Sequence, residues 1–190
     1  IFKLEKKIIF YLKKQKIIKA IIVTDFAGNP ANWSSLKRIS KKYKIKIIND
    51  NCHALGAGYK KDTKYAIKYA DVVIHSYHPV KNITSGEGGA ILTNDKKLYN
   101  KVNRLRSHGI KRSNVSWFYE MIEIGYNYRL TDIQSALGVS QLKKLDKFVK
   151  KRNQIAKIYS KNFNSNIFKK PEINENNLHS FHLYPLLIKF

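Results

Sequence analysis

The sequence predicts an α/β domain built on a parallel sheet, and three observations carry that reading. Short apolar runs at 19–25, 45–50 and 71–76 are bounded by turn residues, as buried strands are. A helical pattern separates the first two, giving a strand–helix–strand rhythm that favours parallel pairing. The runs end at Asp25, Asp50 and Ser76, so polar side chains gather at the carboxyl ends of the strands, where ligands collect in such sheets.

Residues 1–17 place apolar side chains at helical spacing between lysines, an amphipathic surface helix. The strand at 19–25 runs into the turn formers Gly28-Asn29-Pro30. Asn32, Ser34 or Ser35 is expected to cap a helix to about Lys44, with Leu36, Ile39 and Tyr43 inward. After the strand at 45–50 comes the loop Asn51-Cys52-His53-Ala54-Leu55-Gly56-Ala57-Gly58. A strand at 71–76 and an apolar run at 90–93 enclose a glycine-rich loop. Residues 95–106 read as a helix, and 111–120 as a polar and aromatic loop that is mobile or contacts a partner. Thr131 or Asp132 is expected to cap one long helix reaching about Phe163. The run 183–188 reads as the first strand of a second domain. The expected division is 1–145 for the large domain and 146–190 for a linker helix and the start of a small domain.

The formal net charge of +24 invites a nucleic-acid or anionic-membrane reading. Only six of the 37 basic residues are arginine, the side chain whose fork suits phosphates and base edges. The lysines are scattered among isoleucine, asparagine and tyrosine, as solvated faces of a compositionally biased chain are, so neither nucleic acid nor membrane is expected as a partner. A hydrophobic content of 43% fits a globular protein, and no apolar run is long enough to span a bilayer. The single cysteine, Cys52, permits no internal disulfide and points to a reducing compartment, the cytoplasm.

The chain is organised around Ser76-Tyr77-His78-Pro79-Val80-Lys81-Asn82-Ile83-Thr84-Ser85-Gly86-Glu87-Gly88-Gly89. In a chain this rich in lysine, a loop lysine is ordinarily a solvated charge. Here Pro79 fixes the backbone before Lys81, and the glycines let the chain pass close to something bulky. A lysine held in a partly desolvated pocket can lose its proton and form a Schiff base with a carbonyl. Asp50 with His53, Ser76 with Lys81, and the segment Gly125-Tyr126-Asn127-Tyr128-Arg129 supply parts that pyridoxal phosphate chemistry needs: an amine, a carboxylate and phosphate donors. Taken singly, Asp50 is an ordinary strand end, His53 a satisfied loop histidine, Ser76 a turn cap and Asn127 a weak signal. His75, His78 and His108 lack partners at ligand spacing, so no metal is expected. Glu87 is expected to tie down the glycine loop.

These stretches, with Val23-Thr24-Asp25-Phe26-Ala27-Gly28-Asn29-Pro30, Asn49-Asp50-Asn51-Cys52-His53-Ala54-Leu55-Gly56-Ala57 and Leu105-Arg106-Ser107-His108-Gly109, resemble the sugar aminotransferases of the DegT/StrS type. The resemblance implies the pyridoxal-phosphate-dependent transferase fold type I, the aspartate aminotransferase-like architecture. That is a three-layer α/β/α large domain, followed here by the start of a small domain. It implies Lys81 as Schiff-base lysine and proton carrier, Asp50 on the pyridine nitrogen, His53 beside the cofactor ring and Ser76 on the phosphate. Asn127 would reach the cofactor phosphate of the neighbouring subunit in a homodimer. The implied reaction moves an amino group, usually from glutamate, to C4 of a nucleotide-linked 4-keto-6-deoxy sugar, by a ping-pong route through pyridoxamine phosphate. Lys81 argues against the dehydrating relatives, which carry histidine there.

Two departures stand out. Asn49 replaces the glutamate that usually precedes the aspartate. The family's N-terminal part, with its phosphate loop and ring-stacking aromatic, is absent, and the small domain stops after Phe190. The 190 residues alone are therefore expected to bind cofactor poorly and turn over little. The rival readings are another keto-sugar aminotransferase of the same family, a basic nucleic-acid-binding module, and an inactive gene fragment.

Overall fold

A computed structural model describes residues 1–112, 114–115, 117–163 and 166–188, with the side chain of Arg112 left aside. Three parallel strands form its centre: β1 (Ala20–Thr24), β2 (Lys46–Asp50) and β3 (Val72–Ser76), with Thr24 beside Asp50 and Asp50 beside Ile74. A fourth strand, β4 (Gly89–Leu92), lies antiparallel to β3 and brings Gly89 beside Ser76, so the sheet is mixed, in the order β1-β2-β3-β4. A Cβ on Gly89 would come 2.5 Å from the His75 carbonyl oxygen, so this close strand return requires glycine.

The helix after β1 begins as the sequence predicts. Asn32 accepts a hydrogen bond from the Ser35 amide at 3.2 Å and caps α2 (Trp33–Tyr43), which ends on Lys44 in the left-handed region. Trp33 and Leu36 pack with Ile47, Tyr65 and Val73 in the main core, one layer of α2 and α3 (Tyr65–Tyr69) against the sheet. Ile39 and Ile45 instead meet Ile8 of α1 (Phe2–Lys13), which makes that amphipathic helix a lid over the edge of β1 and α2. Beyond β4, Asp95 caps α4 (Lys96–Arg106) by accepting from the amides of Lys97 and Leu98.

Three expectations are corrected. The stretch expected to be a loop at 111–120 contributes instead to an antiparallel hairpin, β5 (Ile110–Arg112) with β6 (Tyr119–Met121); residues 113 and 116 lie outside the described residues. Alternating polar and large apolar side chains suit a hairpin as well as a loop, and pairing decides. The single long helix is two: α5 (Asp132–Leu142) and α6 (Leu145–Asn162). Thr131 caps α5 in a reciprocal capping box with Gln134, and the break falls at Lys143 and Lys144, where hydrophobic periodicity gives no stop signal. The expected run at 183–188 is a strand only at β8 (Leu187–Ile188), paired with β7 (Phe168–Lys169).

The segment before β8 returns to the sheet. Gly28, at φ +96°, touches Ser180 so closely that any side chain there would collide with its Oγ. Arg152 of α6 donates to the carbonyls of Phe181 and His182 at 3.0 and 3.3 Å. His179 is 2% exposed, and its Nδ1 accepts the Phe181 amide at 2.8 Å, so burial drives its pKa down to about 4 from an ordinary value near 6.5. The unfolded chain protonates first as pH drops. Stability linked to His179 is therefore complete above pH 6.5 and is lost on the way down through about pH 4. The loss is on the order of 3 kcal/mol. Thermal melts between pH 7.5 and 4 should show this fall, and His179→Asn should reduce it, the remainder belonging to His182, which is held down to about 4 as well; an identical fall in the variant would contradict the assignment.

Candidate active site

The carboxyl ends of β2 and β3 hold most of the predicted residues. Asp50 closes β2 and accepts the Cys52 amide at 3.2 Å, while Asn51 donates its amide to Ile74 of β3, locking the two strand ends. Burial, then the neighbouring Asp50, pushes the Cys52 thiol up to about 12, against the pull of Lys81, so Cys52 is an inert filler. Ser76 closes β3, and its Oγ accepts the His78 amide at 3.4 Å, a long bond that leaves the hydroxyl free to serve another group.

The loop from Tyr77 to Gly88 is pinned at its neck. Tyr77 donates to Gly88 O at 2.8 Å, and the Tyr77 carbonyl accepts both the Ser85 amide and the Thr84 hydroxyl. Inside the loop, Asn82, Ile83 and Ser85 are buried, and the Asn82 amide donates to Leu55 O at 2.8 Å. That bond stitches the lysine loop to the loop that follows Asp50. Lys81, next to Asn82, is half-buried, and among the described residues its amine has no hydrogen bond or ion pair. By contrast, Lys42, Lys46 and Lys68 are paired to carboxylates on the surface. Its charge is nevertheless felt by Cys52, His53 and His182, whose pKa values it pulls down.

His53 is more than a loop histidine. Its Nδ1 accepts the Ala27 amide at 3.3 Å, which leaves Nε2 as the protonated nitrogen, and its ring lies 4.4 Å from that of His182. Burial first, and Lys81 second, hold His53 below its ordinary pKa, although Asp50 pulls the other way.

Asn127 stands apart from this cluster. Its backbone bridges Ser107, its side chain is exposed, and it lies between Tyr126 and Tyr128, whose rings stack at 4.8 Å on the border of an open groove of about 940 Å³. Asp25 corrects the positional argument for one shared site, because its side chain is fully buried behind the sheet end and faces no ligand space. Glu87 reaches His78 Nε2 at 3.7 Å across the glycine loop, which the Ser85 hydroxyl and the Thr84 side chain also tie down. Asn82 and His182 were invisible as site residues. Their only sequence signals were adjacency to Lys81 and the motif His182-Leu183-Tyr184-Pro185.

A lysine amine beside a strand-end carboxylate and a neutral histidine, in a mixed α/β sheet, defines the class as an aminotransferase-like fold. The chain belongs to the DegT/DnrJ/EryC1/StrS aminotransferase family, whose pattern matches residues 5–190. It is 46% identical over 178 residues to a UDP-4-amino-4,6-dideoxy-N-acetyl-beta-L-altrosamine transaminase of Campylobacter jejuni, covering 93% of this chain and 46% of that protein. A Helicobacter pylori transaminase of the same name is 38% identical, with 90% and 45% covered. Among solved structures, Helicobacter pylori PseC, an aminotransferase involved in the biosynthesis of pseudoaminic acid, superposes with a TM-score of 0.83 at 36% identity, over 90% of this chain and 46% of that one. A putative sugar aminotransferase of Streptococcus pneumoniae, solved in a PLP form, gives 0.80 at 27% identity, over 95% of this chain and 51% of that one. The chain thus spans about half the length of the relatives it matches.

Nitrogen-15 spectra should show His53 as the Nε2–H tautomer, titrating below 6.5. Lys81→Met should raise that titration toward the ordinary value; no change would remove Lys81 from the cluster.

Proposed function

We propose that the complete protein is a pyridoxal-phosphate-dependent aminotransferase that carries an amino group, from glutamate, to C4 of a nucleotide-linked 4-keto-6-deoxy sugar. The observation that carries this reading is the half-buried, unpaired Lys81 on a loop that Asn82 stitches to Leu55, in the loop following Asp50. Similarity to the transaminases above supplies the sugar class.

The donor set fits the cofactor. The Asp50 carboxylate bonds only to Cys52 among the described residues, so capacity remains for a protonated ring nitrogen. His53 presents an N–H after the end of β2, and Ser76 a hydroxyl at the end of β3. When bound, pyridoxal phosphate supplies a ring that withdraws electrons from the substrate carbon. Lys81 would hold the cofactor through its amine and would move the proton between the substrate carbon and the cofactor in each half of the reaction. Asp50 keeps the ring nitrogen protonated, and His53 stays neutral so that no second cation competes with the lysine. Ser76 donates to the phosphate.

We place Asn127 at a homodimer interface, where it reaches the partner's cofactor phosphate. Its surroundings support this, since Trp117, Met121, Ile124, Tyr128 and Ile133, large apolar side chains near it in sequence, are each at least 70% exposed. No helix among the described residues is long and apolar enough to cross a membrane, and the single half-buried Cys52 fits a reducing cytoplasm.

The test uses the complete protein purified with pyridoxal phosphate. A visible cofactor band that bleaches on adding glutamate, and turnover of a 4-keto sugar nucleotide that Lys81→Ala reduces by at least about 10²-fold, are expected. Absence of the band, or parent-like turnover in the variant, would overturn the reading.

A further inference from the structure

We infer that Asp25 is a positioning residue, one buried carboxylate that sets both Asp50 and His53. The inference rests on the aminotransferase reading for what those two residues do, but its geometry stands by itself. Asp25 is 0% exposed and accepts five hydrogen bonds. Oδ1 takes the Ala31 amide at 2.8 Å and the Trp33 indole N–H at 3.1 Å. Oδ2 takes the amides of Asn49 at 3.2 Å and Asn51 at 2.9 Å, and the Tyr65 hydroxyl at 2.7 Å. Tyr65 OH itself accepts from Asn51 at 2.9 Å, so its proton points to Asp25. No cation is paired with Asp25 among the described residues. Burial raises the carboxyl pKa while these bonds pull it back, and a donor set with no acceptor in it favours the ionised form.

The partners give the carboxylate its reach. Asn49 and Asn51 flank Asp50, and both are held inward by the same oxygen. Since neighbouring side chains on a strand point to opposite faces, fixing Asn49 turns Asp50 toward the site. Asp25 also begins the turn Phe26–Gly28, whose Ala27 sits at φ +60° and aims its amide at His53 Nδ1. The Asp25 amide donates to Asp50 O at 3.1 Å, closing the link. The Asp25 side chain therefore sets the carboxylate through Asn49, and by accepting the Ala31 amide it closes the loop 25–31 that carries the Ala27 amide to His53.

The experiment compares the complete protein with Asp25→Asn and with Tyr65→Phe, which removes one donor and leaves the carboxylate in place should the first fail to fold. Two readouts are taken: the dissociation constant of pyridoxal phosphate from its visible band, and the His53 nitrogen-15 shifts, which need no cofactor. Displaced reacting groups of this kind cost up to about 10²-fold, so a tenfold or greater weakening of cofactor binding is expected, with His53 moving toward a mixture of tautomers. A lower melting temperature with unchanged cofactor affinity and unchanged His53 shifts would overturn the inference, leaving Asp25 as packing alone. Should the parent show no cofactor band while His53 shifts in the variants, positioning stands and the aminotransferase reading falls.

Discussion

A carboxylate shut away from water sits where β1 and β2 end, and the geometry of the site follows from satisfying it. An ionised carboxyl in the interior is tolerable only when its lone pairs are filled. Asp25 fills them with donors from the start of α2, from β2, from the loop after it and from α3. Those elements are thereby brought to one point. The same arrangement sends the Asp50 side chain away from Asp25 and carries the Ala27 amide to His53. A second cross-link, Asn82 to Leu55, then brings the lysine loop over them. Two polar connections, with apolar packing of Trp33, Ile47, Tyr65 and Val73 beneath, place three functional groups from three parts of the chain.

The electrostatics follow the same logic. In a chain of +24, surface lysines find carboxylates or water, and exposed pairs of that kind contribute little. Lys81 is distinguished by what surrounds it: no paired carboxylate, a thiol and two imidazoles held neutral, and Asp50 nearby. High net charge is therefore a poor guide to this protein, and the placing of one lysine is a better one.

The sheet and its helices were legible because hydrophobic periodicity and capping residues are local signals. Asn32, Asp95 and Thr131 each cap the helix that they precede in sequence. The candidate site was legible through Lys81, Asp50, His53 and Ser76, whose residue types and loop chemistry single them out and which lie at or just beyond the carboxyl ends of β2 and β3. The hairpin at 110–121 and the break at Lys143–Lys144 were not legible, since both depend on what the chain packs against. Asp25 was read as part of the site because a strand end looks the same whether its side chain turns outward or in. Burial by Trp33, on the following helix, and by Tyr65, 40 residues away, decides that. Asn82 escaped notice because its partner is a main-chain carbonyl 27 residues away, for which no residue pattern exists.

The most direct test of the account is to reduce the complete, cofactor-loaded protein with borohydride and map the modified peptide. The account predicts a single pyridoxyl label on Lys81, in the peptide Tyr77-His78-Pro79-Val80-Lys81-Asn82. A label on any other lysine, or none, would contradict it.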